Sequence, residues 1–367
     1  MGHAGMLHPL TFEPELKDKI WGGRRLGEVL GKELPPDVPV GESWEVHGGS
    51  VVAEGPHTGR TLDEVRGELG AALMGTRLAS PPPDVFPLLF KYIDASEYLS
   101  VQVHPDDAYA QEHTGYPYGK TESWYIVHAE PGAKLVHGWK RPTTPEEVGA
   151  AVRENRLEEL MEYVPVSPGD VVFVPAGTVH AIGGGIVLGE IQQNSDTTYR
   201  LYDWGRVGFD GKPRDLHVEE SLRTLYYGKT EPHKIRPVDV QDGGVTRRFL
   251  VACRYFVLES VEGESEFDLP GDGSSFQLLS PLDGPVRLAW SGGEMELERG
   301  RTALAPAGLR GCRATADGPY RLLRMYMPDL ASDVVGPLSE AGRSREEITA
   351  LGGDAAHNDV SRVMGDE

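Results

Sequence analysis

The sequence predicts a mainly β protein made of short strands, and three observations carry that reading. Gly (46) and Pro (28) make up about a fifth of the 367 residues, a composition rich in turns. From about residue 245 to 326, short apolar runs recur at regular spacing with Gly turns between them, the pattern of a sandwich or barrel. The strongest helical periodicity, at 145–162, interrupts a region that otherwise reads as strands.

Residues 1–60 read as an irregular entry containing strands, with Pro35, Pro36 and Pro39 against any helix there. Thr61-Leu-Asp-Glu64 is a capping box, and Val65, Leu69 and Leu73 share one face, which predicts a helix over 62–74. Pro81-Pro82-Pro83 reads as a spacer. The runs 85–92 and 98–103 are strand candidates, the second ending at the turn His104-Pro105-Asp106-Asp107. Residues 122–127 form another, closed by Pro131-Gly132. Thr144-Pro-Glu-Glu147 opens the helix expected over 145–162, with Pro at its first position. Strands follow at 170–174, 186–191 and 198–203, then a short helix within 215–226. The later strands are expected at 249–252, 255–261, 276–279, 286–290, 301–305 and 320–326. The polar tail from about 330 has one helix after Ser344, with fraying at its end. Gly169–Gly177 and Gly300–Gly308 echo each other: a turn Gly, a five-residue strand, then Pro-Ala-Gly.

Composition narrows the function classes. Apolar residues (39 %) and aromatics (8 %) suffice for a sizeable core, and the length suggests two domains or slightly more. The net charge of −21 opposes a nucleic-acid or anionic-membrane surface, so an anionic ligand needs a local basic pocket. Cys253 and Cys312 are too few for a disulfide framework. No apolar run is long enough to span a membrane, and the first residues lack the plan of a signal peptide. A cytoplasmic location is therefore expected.

Four local signals point to chemistry. His180 follows the strand-ending Pro175-x-Gly177 turn, which would set an imidazole at a barrel mouth. Gln102 and His104 stand two apart on a strand and so share a face, as do Lys120 and Glu122. Glu190 and Arg200 lie on neighbouring strands, either as a cross-strand ion pair or with Arg200 supplying positive charge to an oxyanion or phosphate. Taken together, Gln102, His104, Glu122 and His180 suit Zn²⁺ or another borderline divalent ion with one position open. His47, His128, His137 and His217 read as core or surface, Trp44 and Trp124 as core, and Arg24-Arg25 as a solvated pair or an anion contact.

The segments FPLLFKYIDASEYLSVQVHPDD (86–107), GKTESWYIV (119–127) and VPVSPGDVVFVPAGTVHAIGGGIVLGEIQQNSDTTYRLYDWGR (164–206) resemble the type I mannose-6-phosphate isomerases, in their short bacterial form. The likeness runs in order over about 10–328. It implies two cupin (jelly-roll) barrels: a catalytic one over 1–240 with a helical insertion at about 143–163, and a degenerate one over 241–330. A polar extension over 331–367 would follow. It implies one zinc per chain on Gln102, His104, Glu122 and His180, and a sugar-phosphate pocket lined by Ser100, Lys120, Glu190 and Arg200. The long eukaryotic-type members have a His immediately before the pocket Lys, where this chain has Gly119.

The implied reaction interconverts mannose 6-phosphate and fructose 6-phosphate through a cis-enediol. A divalent ion would polarise the sugar oxygens while Glu190 or Lys120 moves the proton, and Arg200 with Lys120 would meet the phosphate. The other readings are an isomerase or epimerase of an unphosphorylated or different sugar, a sugar-binding cupin without catalysis, and an iron-dependent dioxygenase on the same fold. Oligomeric state is not legible in the sequence.

Overall fold

The structure, a computed structural model, describes residues 7–77 and 84–365, so the Pro81-Pro82-Pro83 spacer lies outside the described residues. The first half contains β1 (Leu10–Thr11), β2 (Glu15–Gly23), β3 (Val40–Val46), β4 (Leu88–Ala95), β5 (Val101–Val103) and β6 (Glu122–Ala129). It continues with β7 (Lys134–Trp139), β8 (Met161–Pro165), β9 (Val171–Val174), β10 (His180–Ala181), β11 (Ile186–Gln193) and β12 (Tyr199–Tyr202). The second half contains β13 (Val238–Asp242), β14 (Val245–Ala252), β15 (Val257–Gly263), β16 (Phe267–Asp268) and β17 (Gln277–Asp283). Then come β18 (Val286–Trp290), β19 (Gly293–Leu297), β20 (Ala303–Ala305), β21 (Arg313–Thr315) and β22 (Tyr320–Tyr326).

The protein is mainly β, and its strands form four antiparallel sheets with a repeated plan. The first half pairs a sheet ordered β2-β3-β4-β11-β6-β9 with one ordered β12-β5-β10-β7-β8. The second half has β13-β14-β15-β22-β17-β20, extended by β1, and β16-β21-β18-β19. Each strand from β2 to β11 thus has a counterpart in the same place, β2 matching β13 and β11 matching β22. Alternation of side chains fills three layers. Ile93, Trp124, Leu135, Val174 and Leu188 form one core cluster within the first half. Val261, Leu279, Val286, Leu297 and Ala314 form its counterpart in the second. The outer faces of the two large sheets meet each other, with Phe86 and Phe276 rings 4.9 Å apart and the Tyr92 hydroxyl 2.7 Å from Ser280 Oγ.

The echo between 169–177 and 300–308 falls on β9 and β20, which occupy matching places. Gly169 and Gly300 both have left-handed backbone, φ 90° and 74°, which a turn into the strand requires and other residues resist.

Several expectations need correction. The helix expected over 62–74 breaks at Gly70 into Leu62–Leu69 and Ala71–Met74. The helix expected over 145–162 stops at Arg153, because Asn155 turns left-handed (φ 55°), and Met161 begins β8. Leu157, Leu160 and Met161 only mimic helical spacing. The entry region, where no helix was expected, has one over Arg25–Leu30, directly after β2. The tail is not frayed over the described residues. Leu330, Val334, Leu338, Ile348, Leu351 and Val360 are buried in the core shared with both halves. The helix after Ser344 forms over Arg345–Ala350 with a complete capping box. Among the described residues, no helix is long and apolar enough to cross a membrane.

Candidate metal centre

Three buried residues from three separate strands converge between the sheets of the first half. Glu122 opens β6, His180 opens β10, and His104 directly follows β5. Their ligating atoms all lie within 4.8 Å of one another. His104 Nε2 is 3.4 Å from Glu122 Oε2, and His180 Nε2 is 3.5 Å from Glu122 Oε1. Strand register brings Gln102 opposite both His180 and Arg200, on the same cavity.

Each imidazole is anchored through its other nitrogen. His104 Nδ1 lies 3.1 Å from the Thr197 carbonyl and His180 Nδ1 2.8 Å from the Thr178 carbonyl, so both donate there and turn Nε2 inward as an acceptor. Both Nε2 atoms and Glu122 Oε2 are buried without a hydrogen-bond partner. Such atoms are costly to leave unsatisfied, and two inward lone pairs beside a carboxylate fit a divalent transition metal ion. Protonation favours the same fit. Burial and the nearby Lys120 hold His104 down at about 3, and burial lowers His180 as well. Burial would raise Glu122, but Lys120 and His104 overcome it and hold the carboxyl well below its usual range. Both imidazoles are thus neutral and the carboxylate is charged, as ligation requires.

Gln102, His104 and Glu122 line a cavity of about 320 Å³, and His180 stands behind them against Glu122. Ser100 and Lys120 are buried in the cavity wall, with Lys120 Nζ 3.5 Å from Glu122 Oε2. Arg200 reaches the cavity beside Arg214; its Nη1 donates to the Asp215 carbonyl at 2.7 Å. Glu190 does not pair with Arg200. Its partners are Lys91 Nζ at 3.0 Å and the Trp124 indole, which donates at 2.8 Å. Burial and the charge of Glu122 push the Glu190 carboxyl up.

Sequence reasoning missed Lys91, Glu42 and Lys19, which continue from Glu190 as a chain of alternating charge. Glu42 lies 3.9 Å from Lys91 and 3.3 Å from Lys19. Burial would raise Glu42, yet Lys91 and Lys19 hold it at about 2. The detectable signal was a lysine in the middle of the apolar run 88–95, on the face opposite Phe90 and Tyr92. Trp124 is core, as expected, but it also positions Glu190, and Trp44 lines the cavity instead of filling the core. Arg24 and Arg25 are elsewhere: Arg24 donates to the carbonyls of Pro35 and Val38, and the Arg25 backbone to Asp94. At Gly119 a side chain has no room, since a Cβ there would come within 2.4 Å of the Asp106 carbonyl carbon.

The second half carries this charge chain with its signs reversed. Lys91 faces Glu190 and Glu190 faces Trp124, just as Glu259 faces Arg324 and Arg324 faces Leu279. Arg247 replaces Glu42, 2.9 Å from Glu259, and Asp242 on β13 replaces Lys19, 3.7 Å from Arg247. Arg324 closes the chain 3.1 Å from Glu259. Gln277 replaces Glu122, facing Ala305 as Glu122 faces Val174. Where Gln102 faces His180, the second half pairs Phe267 with Ala314, and among the described residues the one candidate metal-holding group lies in the first half.

The chain is similar to known proteins over most of its length. The model of the phosphomannose isomerase type I catalytic domain matches residues 10–126. A mannose-6-phosphate isomerase of Streptococcus mutans is 36 % identical over 316 residues, covering 85 % of this chain and 96 % of its own length. One from Bacillus subtilis is 38 % identical over 82 % of this chain and 94 % of its own. The crystal structure of the mannose 6-phosphate isomerase from Bacillus subtilis superposes with a TM-score of 0.78 at 31 % identity, covering 86 % of this chain and 99 % of that one. Phosphomannose isomerase from Salmonella typhimurium shares the fold, with a TM-score of 0.69 at 18 % identity. With this identity extending over nearly the whole length of its relatives, the chain belongs to the type I mannose-6-phosphate isomerase family.

Proposed function

We propose that this protein is a metal-dependent aldose–ketose isomerase that interconverts mannose 6-phosphate and fructose 6-phosphate. The observation that carries the reading is the pair of buried, neutral imidazoles whose unpartnered Nε2 atoms face the Glu122 carboxylate on the wall of a polar cavity. Gln102, His104, Glu122 and His180 would hold one Zn²⁺, which supplies Lewis-acid stabilisation of negative charge on the sugar oxygens.

The chain's own residues do the remaining work. Glu190 is the proton-transfer group: burial and Glu122 shift its pKa upward, as a base working near neutral pH requires, while Lys91 and Trp124 fix its two oxygens. Lys120 shares the proton traffic and, with Ser100 and Arg200, binds the substrate. The phosphate sits toward Arg200, where a second guanidinium, Arg214, adds positive charge to an otherwise acidic protein. Loss of the carbon 2 proton to this group gives the cis-enediolate; a proton passes from the oxygen on carbon 2 to the oxygen on carbon 1, and the same group returns its proton to carbon 1, leaving the carbonyl at carbon 2.

We read the repeated sheet plan as two cupin barrels, dividing near residue 240, with the tail from 331 as an extension packed across both. Two buried, unpaired cysteines suit a reducing, cytoplasmic setting. Steady-state assays with mannose 6-phosphate and with free mannose test the function. The expected result is fructose 6-phosphate as product and a preference of orders of magnitude for the phosphorylated sugar. A reversed preference assigns a different sugar, and no turnover with zinc present leaves a sugar-binding protein.

A further inference from the structure

Among the described residues the second half holds no candidate metal group, yet one of its side chains reaches Asp107, which in turn holds the segment before Glu122. Tyr255 lies in the turn between β14 and β15, and its hydroxyl donates to Asp107 Oδ2 at 2.7 Å. Burial and the Asp107 carboxylate push the phenol above its usual range, so it remains a donor. The other oxygen of Asp107 accepts from the Gly119 backbone N–H at 2.7 Å and from Gln193 Nε2 at 2.8 Å. Gln193 Oε1 in turn accepts from the Thr121 N–H at 2.9 Å, and the Lys120 N–H donates to the Pro105 carbonyl at 2.9 Å. Three successive backbone donors, at 119, 120 and 121, are thus fixed from the Asp107 side, immediately before Glu122. The close approach at Gly119 makes this packing possible.

The tail holds the other end. The Arg254 backbone donates to Asp359 Oδ2 at 3.0 Å and its Nε to Oδ1 at 2.9 Å, while the Ala252 N–H donates to the Leu351 carbonyl at 3.0 Å. The turn that presents Tyr255 is therefore clamped by the C-terminal helices.

We propose that Tyr255 is a positioning residue for the isomerisation: through Asp107 it sets the segment 119–121 and hence Lys120, so that the second half and the tail serve the reaction as a brace. This rests on the functional reading above, and its tests separate the two.

In the zinc-loaded full chain, Tyr255→Phe removes one donor and little volume. The expected result is a kcat lowered about tenfold to a hundredfold, as loosened positioning produces. The KM for mannose 6-phosphate should rise by less than kcat falls, because Ser100 and Arg200 still hold the substrate, with zinc content unaltered. Asp107→Asn should act in the same direction. In a Lys120→Ala background, adding Tyr255→Phe should cause no further loss, whereas a general structural defect would stay additive. Amide hydrogen exchange supplies a readout without substrate: Gly119, Lys120 and Thr121 should exchange faster in Tyr255→Phe while β4 and β11 do not. Unchanged exchange at 119–121, or a full kcat in Tyr255→Phe, overturns the brace. If the parent protein turns over no sugar, the functional reading fails and the exchange result still decides the tether.

Discussion

The two imidazoles at 104 and 180 owe their roles to what their Nδ1 atoms touch. Each is tied to a backbone carbonyl, which selects the tautomer and aims Nε2 at the other. His180→Ala should lower bound zinc from one equivalent toward zero, read by metal analysis of the purified protein, and remove turnover with it. Glu190→Gln keeps the metal ligands and the Trp124 contact but cannot take a proton. Its kcat should fall by roughly 10²- to 10⁴-fold with zinc retained, and a variant with parental kcat would move the base to Lys120. The convergence of His104, Glu122 and His180 had a signal in the sequence: polar residues two apart on an apolar strand share a face, and a Pro-x-Gly turn precedes His180. Lys91 was legible only as a lone lysine within an apolar run; that three carboxylates surround it emerges once the strands pair.

At the scale of elements, the matching ion chains are the clearest consequence of pairing register. Glu259 is fully buried between Arg247 and Arg324 and also accepts from the Tyr326 hydroxyl. Glu259→Leu would strand two guanidiniums, and a destabilisation of about 3–5 kcal/mol is expected from denaturant unfolding. Acid sensitivity follows from the same geometry. Glu42 is depressed from its ordinary 4.5 to about 2, so its contribution is fully present above about pH 4.5 and is lost as pH falls through 2. Unfolding free energy measured between those limits should decline with falling pH, and the decline should flatten in Glu42→Gln. The strands of this region were read from their alternation, whereas the helix over 145–162 was overextended. Apolar spacing continued through Asn155, and nothing in that spacing reveals the left-handed turn that ends the helix.

For the whole molecule, the mainly β class and the order of the later strands followed from Gly turns and short apolar runs. The repeated sheet plan left only a faint trace in the sequence, the echo at β9 and β20, because the two halves preserve places for strands and not residues. The tail looked solvated by composition, yet six of its apolar side chains reach the shared core. Ending the chain at residue 329 should therefore lower the thermal midpoint of the whole protein, where a free extension would leave it unchanged. On this reading one metal ion, held by the first half, is required for isomerisation. Titrating metal-stripped protein with zinc while following mannose 6-phosphate turnover checks this requirement. Turnover should start at zero and rise linearly to a break at one zinc per chain. Undiminished turnover before any zinc is added would show that isomerisation needs no metal.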